Sequence, residues 1–250
     1  MSSSASSLSD NEFESSWYYF NRAHVLGIEV FYEPGAEPYV GLTDSGTNSM
    51  PYWQILESNI QSLFQTRAIM PLFQIPKNIE NMTQIEAQSK ASWNDEEIYS
   101  LGTQLRKSHA KDGETRFVIL FLKGNYNDGK KILEKVQGIA AGGTRVIGIF
   151  KQVIIDSFTE QSTLVNKMVY SLGLVNNGLP MIAGLKDFYE GHGEGQFHCD
   201  NPNCVMHWTS TNPNASEEFW DSLKKSGLVS LFGDECLKDA RLYTGNSENL

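Results

Sequence analysis

Two short segments hold the residues that could bind a metal or catalyse a reaction. The first contains Asn166, Lys167 and Tyr170, and residues four apart on a helix lie on the same face. Zinc peptidases use this spacing to aim two histidines at one metal, with a glutamate after the first histidine as the general base. None of these three positions holds the residue type that this chemistry needs.

The residues at these three positions are poor replacements for two zinc ligands and a general base. An amide binds zinc more weakly than an imidazole, the phenol of Tyr170 loses its proton only at about pH 10, and the ammonium of Lys167 repels a dication. We therefore expect no catalytic zinc here. The helix is then an ordinary amphipathic core helix, or a catalytic helix that has lost its chemistry. A functioning metal site would have to be rearranged, with Tyr170 joined by Asp187, His192 or His198.

The second segment contains Cys199 and Cys204, and the third cysteine, Cys236, lies near the C-terminus. The tetrapeptide Asp-Asn-Pro-Asn between the first two favours a turn, and a helix over 233–243 can carry Cys236 to them. We predict that the three cysteines converge. Ordinary packing, a Cys199–Cys204 disulfide with Cys236 apart, and a shared metal all remain open, because the cysteine count is odd.

The segment from Leu172 to Met181 and the His-Cys-x4-Cys-Val-Met segment at 198–206 resemble the archaemetzincin-like branch of the metzincin zinc peptidases. Weaker similarity extends over roughly 24–243. The resemblance implies that Asn166, Lys167 and Tyr170 are degenerate active-site positions. It also implies that Leu185 lies in the stretch where a further histidine ligand is expected, and that Met206 is the methionine turn beneath the metal.

The same resemblance implies a second, structural zinc site made by cysteines. Cys199, Cys204 and Cys236 would be three of its ligands, and Gly233 stands where a fourth cysteine is expected. His198, His207 or Asp234 would then complete the tetrahedron that structural zinc normally has.

The hydrophobic patterns predict an α/β (α+β) fold with a metzincin-like twisted mixed sheet and helices packed on it. Strands are expected over 24–32, 115–124 and 145–155, the last two in one sheet. Helices are expected over 51–66, from a capping box at Asn94, and over 162–173 and 233–243. The segment 125–143 is predicted to be a loop followed by either a helix or a strand.

We divide the chain into a disordered Ser-rich tail at 1–16 and a single domain at 17–250. The domain has an α/β part at about 17–175 and an irregular part at about 176–250.

Composition excludes some classes of protein. The 250 residues include 20 Lys and Arg against 30 Asp and Glu, a formal net charge of -10, which disfavours nucleic-acid binding because phosphates need clustered cations. The longest apolar run, 117–122, is far too short to span a membrane. The N-terminus carries no visible signal, so the default expectation is a cytoplasmic protein.

Together these features predict a catalytically inactive metzincin-like protein whose former cleft binds a protein or peptide partner. An active zinc peptidase with a rearranged metal site and a purely structural subunit of a larger assembly are the alternatives. If Lys167 replaces the general base in a partly buried cleft, its ammonium should form an ion pair, with Asp187 or a nearby glutamate as partner.

Overall fold

A computed structural model describes most of the chain, namely residues 16–43, 49–107, 112–141, 144–175, 177, 181, 198–207 and 230–244. Within these residues it has mixed α/β content and a mixed sheet, which confirms the predicted fold class. The helices are α1 (Ser16–Asn21), α2 (Tyr52–Leu63), α3 (Asp95–Leu105), α4 (Ser157–Ser171) and α5 (Asp234–Thr244). None of these described helices is long and apolar enough to cross a bilayer.

The strands form one large and one small sheet. They are β1 (Val25–Tyr32), β2 (Leu72–Gln74), β3 (Thr83–Gln84), β4 (Ser92–Trp93), β5 (Glu114–Leu122), β6 (Asn125–Asn127), β7 (Ile132–Leu133), β8 (Gly138–Ala140) and β9 (Val146–Phe150). The large sheet has the order β2-β1-β5-β9-β8, and β3 also pairs with β1. All of its pairings are parallel except that of β8 with β9. The small sheet is β4-β6-β7.

Strand β5 is apolar throughout because both of its faces are buried. Phe117, Ile119 and Phe121 pack into the core under α1, α2 and α4, whereas Val118 and Leu120 pack on the opposite face. As predicted, β5 and β9 are neighbours in one sheet. Among the described residues, β8 is the last strand on one side of this sheet.

Strand β8 lies unusually close to the layers around it. A Cβ atom placed on Gly138 would lie 2.8 Å from the carbonyl oxygen of Gly148 and 3.1 Å from a methyl group of Thr163 on α4. Glycine therefore allows the edge strand to pack against both β9 and α4. The segment that the sequence left ambiguous forms the β6-β7 hairpin and this strand.

Several predicted boundaries differ from the structure, most of all in α4, β9 and α2. Helix α4 begins at Ser157 rather than at 162, because the side chain of Asp156 accepts a hydrogen bond from the Thr159 amide at 2.6 Å and caps the helix there. Strand β9 ends at Phe150 rather than 155, where the chain turns. Helix α2 ends at Leu63, three residues before the predicted end.

The capping box predicted at the start of α3 is confirmed. The side chain of Asn94 accepts from the Glu97 amide at 2.9 Å, and the Glu97 carboxylate accepts from the Asn94 amide at 3.1 Å. This cap fixes the first turn of α3 and with it the position of Asp95.

Candidate functional site

A cleft of about 300 Å³ lies along strand β8, which is the last strand of the large sheet within the described residues. On one side it is lined by Lys167 and Tyr170 of α4 and by Asn177, and on the other by Asp95 and Tyr126. Strand β8 forms its floor. The cleft is thus the place where a further strand would extend the large sheet, between α4 and the first turn of α3.

The main chain of β8 has groups that no other described strand uses. The Phe150 amide donates to the Gln137 carbonyl at 2.9 Å, so residues 137 and 139 point their main-chain groups toward β9. In an antiparallel ladder the alternate residues point theirs the other way. The N–H and C=O groups of Gly138 and Ala140 therefore face away from β9.

Asn166, at the first predicted ligand position, is buried, and its side-chain nitrogen is hydrogen-bonded to the polypeptide. Its side-chain amide nitrogen donates to the Val205 carbonyl at 2.8 Å and lies 3.6 Å from the sulfur of Met206. The helix position and the predicted methionine turn are therefore in direct contact. This contact uses the side-chain nitrogen of Asn166, whereas its side-chain oxygen Oδ1 is buried and has no hydrogen-bond partner within the described residues.

Lys167, at the predicted general-base position, is half-buried and lines the cleft. Its Nζ atom lies 5.2 Å from the ring centre of Tyr170, within the range of a cation–π contact. In the described part of the chain no carboxylate forms an ion pair with it, and Asp187, the predicted partner, lies outside that part. Burial lowers the pKa of Lys167 from 10.5 to about 8.

Tyr170, at the second predicted ligand position, meets His198. The two are 3.3 Å apart between the hydroxyl oxygen and Nδ1. Burial, with smaller contributions from Cys236 and Cys204, raises the pKa of the Tyr170 phenol. Burial, followed by the charges of Lys167 and His207, lowers the pKa of His198. At neutral pH this pair is uncharged beside the Lys167 cation.

The opposite wall of the cleft carries a negative charge. The Tyr126 hydroxyl donates to the exposed Asp95 carboxylate at 3.0 Å. Burial, with the hydrogen bond and charge of Asp95, raises the pKa of Tyr126 to about 12. The cleft therefore has a cation on its α4 side and a carboxylate on its α3 side.

The three cysteines converge, which confirms that prediction. Cys199, Cys204 and Cys236 are buried and free, and their sulfurs all lie within 4.8 Å of one another. The predicted turn between the first two forms, with the Cys204 amide donating to the Asn201 carbonyl at 3.0 Å. The sulfurs of Cys204 and Cys236 are 3.6 Å apart. Cys236 thus lies beside the other two and not apart from them.

The spacing of the sulfurs fits a tetrahedral metal site. Two thiolates at about 2.3 Å from zinc in a tetrahedron are about 3.8 Å apart, close to the Cys204–Cys236 separation. The Met206 amide also donates to the Cys204 sulfur, at 3.5 Å. Without a metal, contact with Cys199 and burial raise the pKa of the Cys204 thiol to about 12.

Gly233, where the resemblance expects a fourth cysteine, lies beside Cys204. A Cβ atom at this position would be 3.5 Å from the Cβ of Cys204. His198, His207 and Asp234, the three candidates for a fourth ligand, do not belong to the group of ligand atoms within 4.8 Å. The group in the described residues is therefore three thiols and no imidazole or carboxylate.

Three predicted site residues, Leu185, Asp187 and His192, lie outside the described residues. Sequence reasoning missed the residues of the other cleft walls, Asp95 and Tyr126, and the edge strand itself. The capping box at Asn94 was a usable signal for Asp95, because the first turn of a capped helix is fixed in place. Strand β8 is three residues long and gives no periodic signal.

Comparison of the chain with known protein families, curated proteins and solved structures finds no match. The class of protein is therefore defined by its own fold and site. It is an α/β chain with a cleft at the edge of a mixed sheet and a buried cluster of three cysteines.

Proposed function

We propose that the protein is a catalytically inactive, metzincin-like peptide-binding protein, in which an extended peptide occupies the cleft beside β8. The observation that carries this proposal is the edge strand flanked by α4, with Asn, Lys and Tyr at the positions where a zinc peptidase needs its two histidines and its glutamate. Exposed strand edges bind extended peptides through main-chain hydrogen bonds, and this binding needs no catalytic group.

The metzincin-like origin of the cleft is supported by the contact between Asn166 and Met206. The resemblance places a methionine turn beneath the metal-binding helix, and these two residues, 40 positions apart, touch.

The alternative of an active peptidase rests on the neighbouring Tyr170 and His198. Against it, the cation of Lys167 lies beside both residues, and the phenol of Tyr170 holds its proton more tightly than usual. A dication would have to displace that proton and tolerate that charge. The contact between Tyr170 and His198 is better suited to stabilising the wall of a binding cleft.

We further propose that the three cysteines hold one structural zinc ion. Three buried thiols whose sulfurs lie within 4.8 Å of one another suit zinc, which structural sites in proteins bind through cysteine and histidine. The zinc would tie α5 to the 199–206 turn, and Met206 lies in that turn. The metal would thus stabilise the wall behind the cleft.

Peptide binding and peptide cleavage can be measured on the same purified protein. A library of fluorescent octapeptides should bind saturably by anisotropy, and mass spectrometry should find the bound peptides intact with zinc present. Chelator-sensitive cleavage would favour the active peptidase. A failure of every peptide to bind, together with a stable complex in native mass spectrometry from the source cell, would favour the structural subunit.

A further inference from the structure

We infer that the cleft selects extended peptides that carry an aspartate or glutamate side chain, which pairs with Lys167. This inference rests on the proposed peptide-binding function and adds the chemistry of the partner. Among the described residues that line the cleft, Lys167 is the one basic side chain.

Within the described part of the chain, no carboxylate pairs with the charge of Lys167. The side chain lines the cleft, its recorded contact is with the ring of Tyr170, and it forms no ion pair within the described part of the chain. A half-buried ammonium that lacks a carboxylate is costly, and an incoming acid would relieve that cost. The chain as a whole carries a net charge of -10, so this local cation is an exception on an acidic protein.

The geometry of the sheet favours a side-chain carboxylate over a chain end. A peptide that pairs with the outward groups of Gly138 and Ala140 continues the sheet, and its side chains alternate between the two faces. Lys167 and Tyr170 lie on α4, which packs against β8 on one of these faces. The group that reaches Lys167 is therefore a side chain of the bound strand.

The other wall of the cleft disfavours acids. Side chains on the second face of the added strand would meet Tyr126 and the carboxylate of Asp95. Like charges repel, so an acid is accepted on the α4 face and rejected on the α3 face. The two walls together give the cleft a preference for an acid at alternate positions of the peptide.

The test uses synthetic octapeptides with acetylated N-termini and amidated C-termini, in pairs that differ by Glu or Gln at one position. Their affinities are measured for the full-length wild type and for Lys167→Met, Lys167→Arg and Lys238→Met. Lys238 is an exposed residue of α5 and is the matched control. Circular dichroism confirms that each variant is folded. A Gln peptide with a free C-terminus tests the chain end.

We expect Glu peptides to bind about tenfold more tightly than their Gln partners, since hydrogen bonds between charged groups are among the strong ones. The preference should vanish in Lys167→Met and persist in Lys167→Arg and Lys238→Met. Equal binding of Glu and Gln peptides, a preference that survives in Lys167→Met, or a preference only for the free C-terminus would overturn the inference and leave the peptide-binding function intact. An absence of binding by all peptides would overturn both.

Discussion

The sulfur of Met206 lies 3.6 Å from the side-chain amide nitrogen of Asn166, and the same nitrogen donates to the carbonyl of Val205 at 2.8 Å. Helix α4 is thereby fastened to the turn that follows Cys204. This contact joins the cleft to the cysteine cluster, because one side of the turn faces α4 and the other supplies a thiol.

Replacing Asn166 by alanine should destabilise the protein by about 1–2 kcal/mol, because a buried hydrogen bond between α4 and the turn is lost. Urea unfolding followed by circular dichroism measures the change. Asn203→Ala is the matched control, since Asn203 is exposed on the same turn. Equal unfolding midpoints for the two variants would mean that the Asn166 contact does not hold the turn.

Gly233→Cys should complete a four-thiolate site and raise zinc affinity at least about tenfold, because structural zinc favours four protein ligands. The new Cβ would lie 3.5 Å from that of Cys204, and only the flexible amide of Asn201 must move aside. Competition with a chromophoric chelator under reducing conditions gives the affinity.

Gly233→Ser is the control for the cysteine variant, because it has the same size and lacks a thiolate. Its affinity should stay at the wild-type value. A serine variant that gains as much as the cysteine variant would show that the fourth ligand comes from elsewhere.

The stability of the protein should depend on pH through Lys167. Its pKa is about 8 in the folded protein and about 10.4 in an unfolded chain, so the unfolded state binds more protons between these values. Stability therefore rises with pH in this window. Below pH 8 Lys167 is charged in both states, and the full cost of burying its ammonium opposes folding. Lys167→Met should then be more stable than the wild type by on the order of 2 kcal/mol.

Other groups near Lys167 also titrate, so the comparison between the wild type and Lys167→Met is what isolates its effect. Tyr170 and Tyr126 line the cleft and His198 contacts Tyr170, and all three are present in both proteins. The stability difference, from denaturant unfolding at several pH values, should shrink from pH 8 to 10.5. A difference that stays constant across this range would contradict a desolvated Lys167.

Much of the fold could be predicted because its core elements carry strong patterns. The apolar run of β5 predicts a buried strand, and the capping box at Asn94 predicts the start of a helix. The start of α4 was missed because its first turn, from Ser157, is polar. Its buried Glu160 is paired with Lys151, at 2.5 Å, across 9 residues, and polar residues of this kind resemble a loop in the sequence.

The site could be predicted in part. The turn between Cys199 and Cys204 and the helix that carries Cys236 were enough to bring the cysteines together, since turns and helices act locally. The placement of Met206 beneath α4 came from the resemblance and not from residue spacing. The cleft itself depends on which strand lies at the edge of the sheet. That order arises from pairings between distant segments, such as β8 with β9 beside β5, and no local pattern encodes it.

The most direct test of the central claim is mass spectrometry of the octapeptide library after incubation with the zinc-loaded protein. The proposed function predicts that peptides are retained by the protein and recovered intact, with and without a chelator. Cleavage products that form with the wild type, but not after a chelator is added and not with the Tyr170→Phe variant, would contradict it. Such products would place a working metal at the positions of Asn166, Lys167 and Tyr170.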